Sequence, residues 1–157
     1  MGDLFATALL ILLGLLLVSA GIEDARTREI ANWKNAAIAL LAPAWWWANG
    51  WALWPDMAIQ LGIAAIVFAL FIGAFALGQM GGGDVKMIGA LALWLPMQPL
   101  IWMLMLMSVI GGVVTLAMLI DKKLRRANGA PLEIPYGVAI AIAGLLVLGE
   151  PIFNQFR

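Results

Sequence analysis

The chain has 157 residues, of which 64% are hydrophobic and 11% charged, and its formal net charge is zero. Soluble domains are roughly 45–50% apolar, so this composition indicates a membrane protein, and zero net charge argues against nucleic acid as a partner. The sequence contains no cysteine and no histidine, which excludes disulfides, zinc–thiolate sites, cysteine nucleophiles and Ser-His-Asp triads. Hydrolytic chemistry would have to use Asp, Glu, Ser, Thr, Tyr or Lys, and no cofactor is expected.

Apolar runs separated by short polar segments predict an all-α polytopic membrane protein, a single domain over residues 1–157 with about six transmembrane helices. The predicted spans are residues 4–22, 35–54, 57–78, 85–95, 100–120 and 135–148. No Lys or Arg precedes the first span, so we expect it to remain uncleaved. The fourth span follows a glycine-rich break and is short or broken, because it covers roughly 16 Å, about half of the hydrocarbon thickness.

The distribution of basic residues predicts the orientation. Of the nine Lys and Arg residues, eight lie in the first, third and fifth loops: Arg26, Arg28, Lys34, Lys86, Lys122, Lys123, Arg125 and Arg126. By the positive-inside rule these loops face the cytoplasm, which places both termini outside the inner membrane. Seven tryptophans are predicted near the outer interface: Trp45, Trp46, Trp47, Trp51, Trp54, Trp94 and Trp102.

Two aspartates on the predicted cytoplasmic side are the candidate catalytic residues. Asp24 ends the first apolar run, and Asp84 follows Gly81, Gly82 and Gly83. Two carboxyls that lie close together cannot both ionise, so one can act as a base and the other as an acid. A single interfacial Asp is more often a solvated residue or the partner of a nearby Arg. The shared side of the membrane and the glycine-rich context favour a catalytic pair.

Seven further residues are predicted to bind substrate or support the site: Gly81, Gly82, Gly83, Gln79, Lys86, Asn32 and Tyr136. The glycines permit close backbone approach. Gln79 is expected to hydrogen-bond within the site and Asn32 to brace the loop after Asp24. Lys86 either holds a carbonyl or carboxyl group or extends to the interface. Tyr136 either donates a hydrogen bond toward the aspartates or anchors the interface.

Two glutamates near the first aspartate are expected to play a lesser part. Glu23 and Glu29 should be solvated or paired with Arg26 and Arg28, and such exposed pairs contribute under about 1 kcal/mol each.

Three ordered motifs resemble those of a known family. The run Gly81-Gly82-Gly83-Asp84-Val85-Lys86 resembles the GxGD signature of intramembrane aspartyl proteases, in the form typical of type IV prepilin peptidases. The segment 24–32 is similar to that family's first aspartate motif, with Ala31 where Pro is usual, and the segment 135–140 to its Pro-Tyr-Gly-x-Ala-Ile segment. The chain lacks the paired-cysteine insert of larger, methylating members. In this compact form it is similar to the peptidases of Flp-type (tight-adherence) pili, and archaeal preflagellin peptidases are comparably built.

The resemblance implies an aspartic endopeptidase, without a metal, that removes the leader peptide from a prepilin or pseudopilin. Asp24 and Asp84 would be its catalytic pair, and membrane lipid and the pilus assembly machinery its other partners. Two alternatives are a small cation-coupled transporter, since interfacial acids and a broken helix also suit cation binding, and an inactive scaffold with the peptidase fold.

Overall fold

A computed structural model describes residues 2–124 and 134–155 of the chain. Its six α-helices are α1 (Gly2–Thr27), α2 (Asn32–Ala48), α3 (Ala58–Ala76), α4 (Gly82–Ala92), α5 (Met97–Leu124) and α6 (Tyr136–Gln155). No strand occurs in the described residues, which confirms the all-α prediction. Three basic residues lie outside the described part of the chain: Arg125, Arg126 and the ninth one, Arg157.

The helices follow the predicted apolar runs but differ from them at their ends. α1 continues past the predicted end at residue 22, so Asp24 lies in its last turn rather than in a polar loop. α2 begins at Asn32 and ends at Ala48, and Pro43 is accommodated inside it. Within the described residues, three helical stretches are long and apolar enough to cross a membrane: Leu4–Thr27, Leu53–Ala76 and Met97–Leu124. The other helices, α2, α4 and α6, have shorter apolar stretches; that of α6 covers Tyr136–Gly149.

The short helix α4 lies at the centre of the bundle and packs against α2, α3 and α6. Its apolar side chains Met87, Ile88 and Leu91 are fully buried. α1 packs along α6, which also packs against α5. Small residues allow the close packing, since a Cβ on Gly144 would contact the Leu17 and Leu91 side chains.

The C-terminal end of α4 is held by side chains from neighbouring helices. The Gln60 amide of α3 donates to the carbonyls of Ala92 and Leu95, at 2.6 and 2.7 Å. The Trp46 indole of α2 donates to the Leu93 carbonyl at 2.8 Å. These bonds satisfy carbonyls that the end of a helix leaves without intrahelical partners. An eleven-residue helix can therefore end inside the bundle without leaving these carbonyls unpaired.

The N-terminal end of α4 begins after a sharp turn. Gly78, two residues after the end of α3, has φ +69°. Its N–H donates to the Phe75 carbonyl, and the N–H of Gln79 donates to the Ala74 carbonyl. This pair of bonds is the Schellman arrangement, in which the left-handed position favours glycine. The Asn35 amide of α2 donates to the Gly83 carbonyl at 3.0 Å and fixes the first turn of α4 against α2.

Tryptophans form a cluster at the opposite end of α4. The rings of Trp45 and Trp51 lie 5.6 Å apart, those of Trp45 and Trp94 5.9 Å, and those of Trp46 and Trp51 6.2 Å. Trp94 and Trp46 are 2% and 3% exposed, and the Trp94 indole donates to Ile38. These two rings pack inside the bundle and bond to backbone carbonyls, while the position of the cluster near the outer membrane interface stays a prediction.

Candidate active site

Asp24 and Asp84 line one cavity of about 530 Å³ between the ends of α1, α4 and α6. Both residues are buried, with relative exposures of 4% and 8%. Asp24 comes from the last turn of α1 and Asp84 from the first turn of α4, so the bundle joins residues that are 60 apart in the sequence. Tyr136, at the start of α6, closes a third side of the cavity.

The Asp24 carboxyl is held against the first turn of α6. Its Oδ2 accepts a hydrogen bond from the Val138 backbone N–H at 3.1 Å. A Cβ on Gly137 would lie 2.8 Å from both Cγ and Oδ2 of Asp24 and 2.7 Å from Ile30. Only a residue without a side chain lets α6 approach this closely. The N-terminus of a helix also favours a negative charge beside it.

Asp84 occupies the third position of α4, where its side chain turns back toward the residue before the helix. That residue is Gly81, whose backbone N–H donates to the Asp84 carboxyl. A Cβ on Gly81 would lie 3.0 Å from Asp84 Oδ2, so the glycine also provides space for the carboxylate. An acidic residue at this position satisfies one of the free N–H groups at a helix start.

The environment of Asp84 favours its protonated form. Asp84 precedes the predicted span 85–95 and lies outside the three helical stretches long enough to cross a membrane. Burial, followed by the negative charge of Asp24, raises the pKa of Asp84 to about 7, and the Gly81 N–H opposes the shift. A shared proton near neutral pH is the condition under which one carboxyl of a pair acts as an acid.

Three of the seven residues predicted to support the site line this cavity: Gln79, Gly81 and Tyr136. The Tyr136 ring also packs against α5, since a Cβ on Gly111 would meet it at 3.3 Å. The other two glycines contact different neighbours. Gly82 faces the Phe75 ring, and Gly83 faces Ile30.

Lys86 and Asn32 lie together, but beside a different cavity. Lys86 Nζ donates to Asn32 Oδ1 at 2.7 Å, and both line a space between α2, α3 and α4. Asp84 and Lys86 are two residues apart and therefore point roughly 200° apart around the helix. Neither Lys86 nor Asn32 lines the cavity that holds the two aspartates.

An ion pair between the buried Lys34 and the partly exposed Glu23 lies near Asp24 and was not predicted. Glu23 pairs with Lys34 at 2.9 Å, and its Oε2 also accepts from the Ala31 N–H at 3.1 Å. Lys34 Nζ donates in addition to the Ser19 carbonyl at 3.1 Å. The expected pairing of Glu23 with Arg26 and Arg28 is therefore wrong, since its partner is Lys34. The pair ties the loop after Asp24 to the last turns of α1, which fixes the direction of the chain at the site.

Gly137 and Val138 contact the first aspartate directly and were not predicted as site residues. The signal available in the sequence was Gly137 itself, directly after Pro135 and Tyr136, because a glycine at a helix start can mark close packing. Its partner could not be read from the chain, since Asp24 and Val138 are separated by 114 residues.

The fold and the site define a helical membrane protein with two buried carboxyls in one cavity. The chain belongs to the type IV leader peptidase family, whose family model matches residues 10–116 and so includes both aspartates. It is therefore a peptidase, a hydrolase of the leader-peptidase kind. No curated protein and no solved structure matches the chain significantly.

Proposed function

We propose that this protein is a membrane-embedded aspartic endopeptidase that removes leader peptides from prepilins or pseudopilins. The observation that carries the proposal is that Asp24 and Asp84, both buried, line a single cavity in which the Asp24 charge acts on Asp84. Membership of the leader peptidase family supports a prepilin-type substrate.

In the proposed mechanism the two carboxyls share one proton. The ionised member, Asp24, draws a proton from a water molecule, and that water attacks the carbonyl carbon of the scissile peptide bond. The protonated member, Asp84, donates its proton to the carbonyl oxygen as the tetrahedral intermediate forms. On collapse, Asp24 gives the leaving amine the proton that it took from water, and Asp84 takes a proton back from a hydroxyl of the intermediate, which restores the starting state of the pair. The amine then leaves with a proton, and no covalent enzyme intermediate forms. The Val138 N–H on Asp24 and the Gly81 N–H on Asp84 keep both carboxyls facing the same space.

The proposed orientation has the active site at the cytoplasmic face of the inner membrane and both termini outside. The support is that basic residues lie at the end of α1 that carries Asp24 and at one end each of α2 and α5. Arg26 lies in the last turn of α1, Lys34 in the first turn of α2, and Lys122 and Lys123 in the last turn of α5. Basic residues concentrate on the cytoplasmic side of membrane proteins. Basic prepilin leaders would lie on this same side, where the pilus assembly machinery receives the mature pilin.

Cleavage of a co-expressed prepilin tests the proposal. Wild type should convert the precursor to a shorter form on a gel, whereas Asp24→Asn and Asp84→Asn should each leave it uncut. The matched control is Asp56→Asn, which removes an exposed carboxyl beside the start of α3, where it accepts from the Ala52 N–H. Membrane levels of each variant are measured by immunoblot so that loss of protein is not mistaken for loss of activity.

Three outcomes separate the candidate functions. Loss of cleavage in both active-site variants, with the Asp56 variant active, supports the paired-aspartate peptidase. Cleavage that survives either active-site substitution contradicts the pair mechanism. If no variant cleaves any of several prepilins, the inactive scaffold and the cation-coupled transporter are favoured, and ion dependence of transport would then distinguish them.

A further inference from the structure

A second cavity lies on the face of α4 turned away from the aspartates. It has a volume of about 550 Å³ and lies between α2, α3 and α4. Most of its lining is apolar, and five of the lining residues are alanines: Ala36, Ala39, Ala64, Ala65 and Ala90. Small side chains leave a channel between helices that are otherwise in contact.

One end of this cavity is polar. Asn32, Asn35 and Lys86 line it at the starts of α2 and α4, the helix ends that lie beside the catalytic cavity. Lys86 Nζ uses one of its three donors on Asn32 Oδ1, at 2.7 Å. The Lys86 side chain is exposed, so its remaining donors can reach a group outside the protein.

Asn35 provides the second, independent observation. Its side chain is 4% exposed, and its Nδ2 donates to the Gly83 carbonyl at 3.0 Å. This bond fixes which amide atom is nitrogen, and it leaves Oδ1 buried without a hydrogen-bond partner. A buried acceptor without a partner costs about 1–3 kcal/mol. Asn35 lines the polar end of the cavity, so a donor seated there would lie next to the amide that lacks this partner.

The polarity changes along the cavity as it does along a phospholipid. A cation and an unpaired acceptor lie at the end level with the aspartates, and apolar walls continue toward Ala39 and Leu93. The volume also favours a lipid chain over a protein helix. A helix about 10 Å wide occupies roughly 400 Å³ per turn, so the cavity would hold little more than one turn.

We propose that this cavity binds one membrane glycerophospholipid, with an acyl chain between α2, α3 and α4. Its phosphate contacts Lys86, and a hydrogen-bond donor on the head group, such as the glycerol hydroxyls of phosphatidylglycerol, faces Asn35. The site is separate from the catalytic cavity, because the Asn35–Gly83 bond and the contact of Ile30 with Gly83 lie between them. The proposal stands apart from the peptidase function, and lipid retention measures it directly.

Native mass spectrometry of the purified full-length protein tests the proposal. The protein is stripped of lipid in detergent and then titrated with phosphatidylglycerol or with phosphatidylmethanol of the same chains, which has the same negative charge but no hydroxyl donor. Wild type should bind one phosphatidylglycerol, and bind it about threefold to tenfold more tightly than phosphatidylmethanol, the effect of one hydrogen bond. Equal binding of the two lipids would overturn the head-group assignment.

Two variants address the two ends of the site, each with a matched control. Lys86→Met should weaken phosphatidylglycerol binding about fivefold, the effect of one lysine at an anionic head group. Its control, Lys123→Met, removes an exposed lysine at the end of α5 and should bind as wild type does. Ala65→Phe places a ring in the channel and should weaken binding at least about tenfold. Its control is Ala69→Phe, one turn further along α3 and outside the cavity lining.

Two results would overturn the proposal. If the Lys86 and Ala65 variants retain lipid as their controls do, the bound lipid belongs to the general annulus around the bundle. A photo-crosslinking residue at position 65 that captures a prepilin helix instead of lipid would assign the cavity to the substrate. Lipid capture at position 65 together with the losses in both variants supports the site.

Discussion

Replacing Gly137 by alanine tests how closely α6 must approach Asp24. The new Cβ would lie 2.8 Å from the Asp24 Cγ and Oδ2 atoms, whereas ordinary contact begins at 3.4 Å. The carboxyl or the helix must therefore move by about 0.6 Å, and Ile30 on the other side, at 2.7 Å, limits the room for that movement. A misplacement of 1 Å at a reacting group can cost about 100-fold in rate. We expect cleavage to slow by about tenfold or more.

The assay is the initial rate of prepilin cleavage by purified enzyme in detergent micelles, at equal amounts of folded protein. Gly112→Ala is the control, because it is also a helical glycine and a Cβ there meets nothing within 4 Å. Alanine is the better helix former by about 1 kcal/mol, so this control should fold at least as well as wild type and cleave at the same rate. Full activity of Gly137→Ala would refute the claim that this contact positions the carboxyl.

Three further predictions concern stability and pH. Gln60→Leu leaves two buried carbonyls at the end of α4 without partners and should lower the free energy of unfolding by about 2–4 kcal/mol in micelles; a loss below about 0.5 kcal/mol would contradict the role assigned to this amide. Lys34→Met breaks the ion pair with the partly exposed Glu23 and removes the bond to the Ser19 carbonyl, so it should lower the free energy of unfolding; a double-mutant cycle with Glu23→Gln should show coupling, whereas additive effects would argue against the pair. Since the pKa of Asp84 is raised to about 7, the shared proton is lost as pH rises through that value, so cleavage should fall about tenfold per pH unit above it, and a rate profile flat to about pH 9 would be inconsistent with Asp84 as the acid.

The helices were largely predictable from the sequence, because the length of an apolar run in a membrane protein indicates the length of the helix. The runs predicted six helices, and the glycine-rich break predicted that the fourth is short. The C-terminal end of α1 was not predictable in the same way. Polar residues after position 22 indicate a loop, yet the Glu23–Lys34 pair and the burial of Asp24 let the helix continue to Thr27.

The two aspartates could be selected from motif and topology, but their neighbours could not. Gly81, Gln79 and Tyr136 line the cavity as expected of residues next to the motifs. Lys86 lies just as near in sequence, but helical rotation carries it to the opposite face of α4. Contacts such as Val138 on Asp24 arise from packing between distant segments, which a single sequence does not contain.

The side chains that hold α4 also bear on how the protein enters the membrane. At about 16 Å long this helix ends inside the bundle, where an isolated segment would expose unpaired backbone groups to lipid. Asn35, Trp46 and Gln60 supply those groups with partners, and all three precede α4 in the chain. During synthesis the partners have therefore left the ribosome before α4 does. The helix that carries Asp84 can fold directly onto neighbours already in place instead of being inserted as an independent segment.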